Sequence, residues 1–164
     1  MHFNISEKIY SGGENVAAGA IKKFTIFSTG ALCYGLMEII NRGFTHITMG
    51  LLGGIAFMVI HSLNGDRREG KLKLFPILCV SALFITSIEF LSGEILNRIL
   101  QMNIWSYKDV PLNVDGQICL PFSMLWFALS FFGVFADDFI RHRIFFEHRN
   151  YSYFRREEPQ RVAV

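Results

Sequence analysis

Charged residues are scarce in this sequence and absent from two long stretches. Asp, Glu, Lys and Arg make up 18% of the chain, against about 25% in a typical soluble domain. None of them occurs in residues 43–63 or 116–136, two runs of 21 residues each. Because a 21-residue helix is roughly 31 Å long, each run can cross the hydrocarbon core of a membrane. A soluble bundle would need four helices that are apolar on every side, with little sequence left to cover them, so we do not expect a soluble protein.

Several functional signals are also missing. The segment Met1–Glu7 has no basic stretch leading into an apolar one, so no cleaved signal peptide is predicted. Cys33, Cys79 and Cys119 show neither a CxxC motif nor metal-finger spacing, so we expect no disulfide framework. No Walker-type loop, GxSxG motif or Ser/His/Asp order is present. We therefore expect neither ATPase activity nor a cofactor, and an enzymatic function is not favoured.

Two further apolar runs are each interrupted by a carboxylate. Residues 24–37 continue past Glu38 to Ile40, and residues 74–88 continue past Glu89 to Leu96. The fold class predicted is therefore an all-α integral membrane bundle of about four transmembrane helices. The predicted spans are Phe24–Asn41, Phe44–Leu63, Leu74–Asn97 and Gln117–Phe139. They define a cytoplasmic N-terminal segment (1–23), a transmembrane domain (24–139) and a basic cytoplasmic tail (140–164).

The distribution of basic residues predicts the orientation of these spans. With four spans, the N-terminus, the loop Asn64–Lys73 and the C-terminal tail share one side, which holds 13 of the 16 Lys and Arg residues. The other side holds Arg42, Arg98 and Lys108. By the positive-inside rule, both termini are expected in the cytoplasm of a multi-pass cell-membrane protein. The basic, aromatic tail is interpreted as a segment that lies on the lipid surface, not as a nucleic-acid-binding one.

Polar residues recur at one depth in the outer half of the predicted bundle. Glu38 lies 14 residues beyond Phe24, and Glu89 lies 15 residues beyond Leu74, so both carboxylates are roughly 21–22 Å from the same edge. Tyr34, Glu38 and Arg42 are spaced i, i+4 and i+8 and therefore share one helix face. Carboxylates within hydrocarbon face the bundle interior or water and are usually paired. Arg42 is the expected partner of Glu38, and Asn97, His46 or a Tyr is the expected partner of Glu89.

This polar layer has two interpretations. It is a pocket or pathway for a small polar solute or ion, or it consists of polar pairs that lock the helices together. The candidate binding residues are Tyr34, Glu38, Arg42, His46, Glu89 and Asn97 in the spans, with Trp105 and Asn113 in the loop before the last span. A divalent-cation site on Glu38, His46 and Glu89 is disfavoured, since no metal-binding motif supports it.

Three other features carry predictions. The loop before the last span contains Trp105 and Tyr107 and is expected to fold over the outer end of the bundle. The Gly50–Gly54 interval allows close helix approach, within the bundle or between subunits. At the opposite end, Asp137 and Asp138 are expected to pair with Arg141 and Arg143, and His61 is interpreted as an interfacial histidine.

Three ordered motifs resemble a known family. They are Tyr34-Gly-Leu-Met-Glu38 with Arg42-Gly43, His46 and Met49-Gly50; Glu89-Phe-Leu-Ser-Gly93 with Asn97; and Trp105-Ser-Tyr107 with Pro111-Leu-Asn113, Gly116-Gln-Ile-Cys-Leu and Trp126. Over residues 24–135 the chain is similar to the bacterial membrane family called "putative ABC-transporter type IV". Ser106 stands where the family more usually has an acidic residue, which weakens the case for a cation site in the loop.

The resemblance implies a component of a transport system. Because the chain encodes no nucleotide-binding domain, the expected partners besides the lipid bilayer are a separate ATPase subunit or further copies of the chain. Two alternatives remain open at this point: a non-catalytic accessory or scaffold subunit, and an intramembrane enzyme that acts on lipid with a Glu as general base.

Overall fold

Four long helices make up most of the protein. The computed structural model describes residues 5–147, with side chains from residue 16 onward. The helices are α1 (Ile5–Arg42), α2 (Ile47–Arg68), α3 (Leu74–Gly93) and α4 (Leu120–Arg143). By length and composition, four stretches can cross a membrane: Val16–Arg42, Ile47–Arg68, Leu74–Ile99 and Leu120–Arg143. The predicted fold class, an all-α membrane bundle with four spans, is confirmed.

Helix α1 begins much earlier than the predicted first span. It is continuous from Ile5, whereas the apolar pattern starts at Phe24. The polar residues before Phe24 limit how much of the helix can lie in a membrane. They do not interrupt the helix, and the segment contains no proline. The predictions for residues 1–4 and for tail residues 148–164 fall outside the described residues.

Helix α3 continues directly into a π-helical turn, Glu94–Ile99. Such wider turns are uncommon and are frequent at functional sites. The turn extends the helix beyond Gly93. It contains Asn97, which is buried and bonds to the segment that follows. That segment, residues 100–119, is called the cap loop, and the end of the bundle that it covers is called the cap end.

The cap loop is folded against the bundle. Its strands β1 (Asn113–Val114) and β2 (Ile118–Cys119) pair in antiparallel register, joined by a turn in which Gly116 has φ +70°. The buried residues of the loop include Ile104, Trp105 and Gln117. Ile104 and Trp105 pack against Met49 of α2. The prediction that this loop folds over the bundle end is confirmed.

Helices α1 and α2 approach each other closely through glycines. A Cβ atom on Gly53 would lie 2.3 Å from the Cβ of Tyr34, and one on Gly54 would lie 2.6 Å from the ring of Phe27. A Cβ atom on Gly30 would lie 2.4 Å from that of Phe57. The small residues of α2 therefore serve packing within the chain, the first of the two alternatives that the sequence left open.

Helix α1 packs mainly on α2 and makes little contact with α3 or α4. The core lies where α2, α3 and α4 meet, and its buried residues include Ile60, Ile77 and Val134. Large apolar side chains such as Phe24 and Ile40 are exposed on the outer surface, as expected for helices in contact with lipid. The arrangement leaves a crevice between α1 and α4.

Candidate functional site

A cavity of about 230 Å³ lies between the four helices. Its walls are mainly apolar, and include Leu52, Ala56 and Ile85. Along the crevice between α1 and α4, the cavity is lined by residues that are also exposed at the outer surface: Cys33, Met37 and Phe132. The cavity is therefore accessible from the side of the bundle.

Glu89 is the only charged residue that lines the cavity within the described part of the chain. Its side chain is buried, with the residue 3% exposed. The Tyr107 hydroxyl donates to one carboxylate oxygen at 2.8 Å, and the indole N–H of Trp126 donates to the other at 2.8 Å. The sequence predicted Asn97, His46 or a Tyr as the partner of Glu89; the structure has a Tyr, Tyr107, together with Trp126.

Tyr107 joins the cap loop to this carboxylate. Burial, together with the negative charge of Glu89, raises the pKa of Tyr107 well above its usual range. The hydroxyl therefore remains protonated at physiological pH and remains a hydrogen-bond donor. Since Tyr107 belongs to the cap loop and Glu89 to α3, this bond couples the position of the loop to the cavity.

Tyr34 interacts with both of the carboxylates that the sequence predicted at matched depth. Its ring stacks on Trp126, with centroids 5.7 Å apart and an angle of 25° between the planes. It interacts electrostatically with both Glu38 and Glu89, and Glu38 also acts on Glu89. Tyr34 is also among the residues that line the cavity. The two acids thus share one environment.

Glu38 and Arg42 form the predicted ion pair. The hydroxyl of Thr45 also donates to Glu38, at 2.6 Å. The Arg42 guanidinium donates to the backbone carbonyl of Ile104 at 2.6 Å and lies over the ring of Phe44. This pair therefore fixes the end of α1 to the cap loop, and it does not line the cavity.

Asn97 and Trp105 are the centre of a second attachment of the cap loop. The Asn97 amide donates to the carbonyl of Trp105 and to the side chain of Gln117, each at 3.0 Å, and accepts from the N–H of Ile104 at 2.7 Å. The Trp105 indole donates to the carbonyl of Gln117 at 2.9 Å. All of these residues are buried, so the hydrogen bonds are shielded from water.

Two of the predicted binding residues have local roles. His46 caps the N-terminus of α2 and bonds to Thr48. Asn113 bonds to the carbonyl of Val110 at 2.8 Å and accepts from the N–H of Gly116, which shapes the turn of the cap loop. The structure brings neither residue to the cavity.

A buried ionic cluster lies at the other end of the bundle, and the sequence analysis did not identify it as one unit. Asp137 pairs with His61 and Arg141, and Asp138 pairs with Arg67 and Arg68. Asn64 donates to both aspartates, at 2.7 and 2.9 Å. The predicted pairing with Arg141 is confirmed for Asp137. Asp138 pairs instead with arginines of α2, Arg143 is exposed, and His61 belongs to the cluster. A signal was available, since His61, Asn64 and Arg68 recur at helical spacing on α2.

Glu147 extends this cluster toward α1. It pairs with Lys22 and, at 3.2 Å, with Arg141. Partial burial opposes ionisation of Glu147, but the hydrogen bonds from Lys22 and Arg141 outweigh it and hold the pKa of Glu147 below its usual range. We call this end of the molecule the basic end.

Comparison with known proteins gives one family. The sequence model of the family described as "Putative ABC-transporter type IV" matches residues 26–152, which is most of the chain. No curated protein and no solved structure matches it. The matched range contains the cavity, the cap loop and most of the basic end, so the family model covers most of the helical bundle. This chain belongs to the family described as "Putative ABC-transporter type IV".

Proposed function

We propose that this chain is a permease-like membrane component of an ABC-type transport system and that a small solute occupies the cavity between its helices. The observation that carries the proposal is the position of Glu89. It is a buried carboxylate on the wall of a cavity inside the bundle, and it is bonded to the loop that covers the cap end. An intramembrane carboxylate is costly and is usually functional.

The predicted polar layer divides into two parts under this proposal. Glu89 and Tyr34 face the solute, since both line the cavity. Glu38, Arg42, Asn97 and Trp105 hold the cap loop in place through the bonds described above. Movement of the cap loop would then break the bond between Tyr107 and Glu89 and open the cavity at the cap end.

The proposed orientation places the basic end in the cytoplasm and the cap end outside. The support is the excess of Lys and Arg on the side of the termini, 13 residues against 3. A reporter protein that works only in the cytoplasm is expected to be active when it is fused to the C-terminus. A reporter active only outside the cell would contradict this orientation.

Energy for transport would come from a separate ATPase subunit in this proposal. The sequence contains no nucleotide-binding motif of its own, and the family is of ABC-transporter type. Purification from native membrane followed by mass spectrometry is expected to recover an ATPase with the chain. Recovery of the chain only as copies of itself would contradict the ATPase partnership.

The function is tested by complementing a strain that lacks the gene. Small molecules in cells and medium are measured by mass spectrometry for wild type, Glu89→Gln and Glu94→Gln. Glu94 is the matched control, because it lies on the adjacent π-helical turn, pairs with Arg98 and does not line the cavity. Glu89→Gln is expected to reproduce the profile of the deletion strain, and Glu94→Gln that of wild type. A wild-type profile for Glu89→Gln, at equal membrane abundance, would refute the proposed function.

A scaffold role is the second candidate, and one observation favours it. Glu38, Arg42 and Asn97 all make hydrogen bonds within the chain, as expected if they specify packing. A scaffold predicts that Glu89→Gln lowers the amount of assembled protein in proportion to any loss of transport. A loss of transport at unchanged abundance would exclude it.

A further inference from the structure

We infer that the ligand of this cavity is a hydrophobic organic cation, roughly the size of one aromatic ring with a small ammonium group. This rests on the proposed function, which makes the cavity the solute site. The inference concerns the kind of solute and depends on three features: the charge of Glu89, the aromatic side chains beside it and the apolar walls.

The first feature is that, among the residues whose side chains the structure describes, none with a positive charge pairs with Glu89. Both of its described hydrogen bonds come from neutral groups, the phenol of Tyr107 and the indole of Trp126. The other acid of the pair, Glu38, is already paired with Arg42. A carboxylate offers about four lone-pair positions, so two neutral donors leave room for a further interaction. A buried charge without a counter-ion is unfavourable, and a bound cation would relieve this cost.

The second feature is the aromatic pair at the same end of the cavity. Tyr34 and Trp126 both line the cavity, and their rings are stacked on each other beside Glu89. The faces of such rings attract organic cations, because the ring face carries negative potential. Carboxylate and aromatic groups together therefore select a cation that carries apolar substituents.

The third feature is the remainder of the cavity. Its volume, about 230 Å³, exceeds the roughly 150 Å³ of an apolar cavity that binds benzene. The described lining contains no Lys, Arg or His, so no positively charged side chain there would pair with an anion. The exposed side chains Cys33, Met37 and Phe132 mark a route from the membrane between α1 and α4. A hydrophobic cation partitions into that region, whereas a strongly hydrated ion does not.

Two probes of similar size and opposite charge test the inference on the wild-type protein in lipid nanodiscs. They are benzyltrimethylammonium and benzylsulfonate. N-Ethylmaleimide labelling of Cys33 and Cys79 is followed by peptide mass spectrometry. Cys33 lines the cavity, whereas Cys79 is exposed on α3 away from it and serves as a control in the same molecule.

Protection of Cys33 by the cation alone is expected. At a concentration ten times its Kd, benzyltrimethylammonium should slow labelling of Cys33 about tenfold, since labelling follows the unoccupied fraction. The rate at Cys79 should not change, and benzylsulfonate should protect neither residue. Equal protection by both probes, or protection by neither, would overturn the inference.

Variants give a second measurement. Binding of radiolabelled benzyltrimethylammonium is expected to weaken at least about tenfold in Glu89→Gln and to remain unchanged in Glu94→Gln. Unchanged binding in Glu89→Gln would overturn the inference. If Glu89→Gln does not fold, the comparison of the two probes on wild type decides alone.

The two proposals fail in different ways. If neither probe protects Cys33 while Glu89→Gln still reproduces the deletion strain, the cation inference fails and the transport proposal stands. If the cation protects Cys33 while Glu89→Gln supports a wild-type metabolite profile, the transport proposal fails and the cavity remains a cation-binding site.

Discussion

At the scale of single residues, the chemistry of this protein centres on the hydrogen bonds of Glu89. Tyr107 and Trp126 reach it from the cap loop and from α4, so one buried side chain connects three parts of the molecule. Hydrogen bonds to a buried charged group are among the stronger ones in proteins. Removal of either donor is therefore expected to have a measurable effect.

Tyr107→Phe removes one of these donors and retains the ring. We expect the free energy of unfolding to fall by about 1.5–3 kcal/mol, the usual contribution of a hydrogen bond to a charged group. Thermal unfolding of the purified protein in detergent measures the change. Ser106→Ala is the control, because Ser106 is exposed on the same loop. Equal stability of Tyr107→Phe and wild type would show that the bond does not hold the loop.

Glu147 gives a prediction about pH dependence at the basic end. Since its pKa lies below the usual range in the folded protein, its contribution to stability is complete above the unfolded value of about 4.3 and is lost as the pH falls through the folded value. The melting temperatures of wild type and Glu147→Gln should therefore differ at pH 7, and the difference should shrink as the pH is lowered below about 4. Asp109→Asn, at an exposed position, is the control. A difference that stays the same or grows as the pH is lowered would contradict this account.

At the scale of elements, the close contact between α1 and α2 sets the shape of the cavity. The helices approach at Gly30 and Gly53, where the backbones and the Cβ atoms of Tyr34 and Phe57 leave no room for a methyl group. Because α1 packs mainly on α2 and makes little contact with α4, the crevice beside the cavity stays open. Packing at two glycines thus determines access to the candidate site.

Gly53→Ala tests this contact. The added methyl group would lie 2.3 Å from the Cβ of Tyr34, so the helices must separate. We expect a loss of about 1–3 kcal/mol in the free energy of unfolding, typical of overpacking. Gly19→Ala is the matched control on α1, since nothing lies within 4 Å of its added Cβ. That change should be neutral or stabilise by up to about 1 kcal/mol. Equal effects of the two variants would contradict the close contact.

The elements show which parts of the fold the sequence can predict. Runs of apolar residues predicted four helices, because a segment that crosses a membrane must be long and apolar. The spacing of Glu38 and Arg42 predicted an ion pair within one helix. The start of α1 was not predicted, because the apolar run begins only at Phe24, whereas the helix begins at Ile5. The π-helical turn after Gly93 leaves no apolar signal and was not predicted either.

The candidate site was predicted less completely than the helices. Glu38, Arg42 and Asn97 were identified as polar residues that need partners, but their bonds to the backbone of the cap loop depend on how that loop folds. Trp126 and Gln117 were not predicted as hydrogen-bond partners, because the positions of their side chains depend on how α4 and the cap loop pack. The cluster around Asp137 and Asp138 was read as edge pairing, because sequence spacing within α4 does not reveal its partners on α2.

At the scale of the whole molecule, the two ends of the bundle differ in construction. The cap end is closed by a loop attached through the hydrogen bonds of Asn97, Arg42 and Tyr107, while the basic end is fixed by a buried ionic cluster. The cluster joins α2 to α4, and Glu147 extends it to Lys22 of α1. We expect the cap end to open before the basic end when the cavity exchanges its solute.

The central claim is that Glu89 holds a small molecule in the cavity. The most direct measurement is mass spectrometry of small molecules extracted from the chain purified from native membrane. We predict a compound that is present with wild type and with Glu94→Gln at equal protein amounts and is depleted at least about tenfold with Glu89→Gln. Identical extracts from all three proteins would contradict the claim.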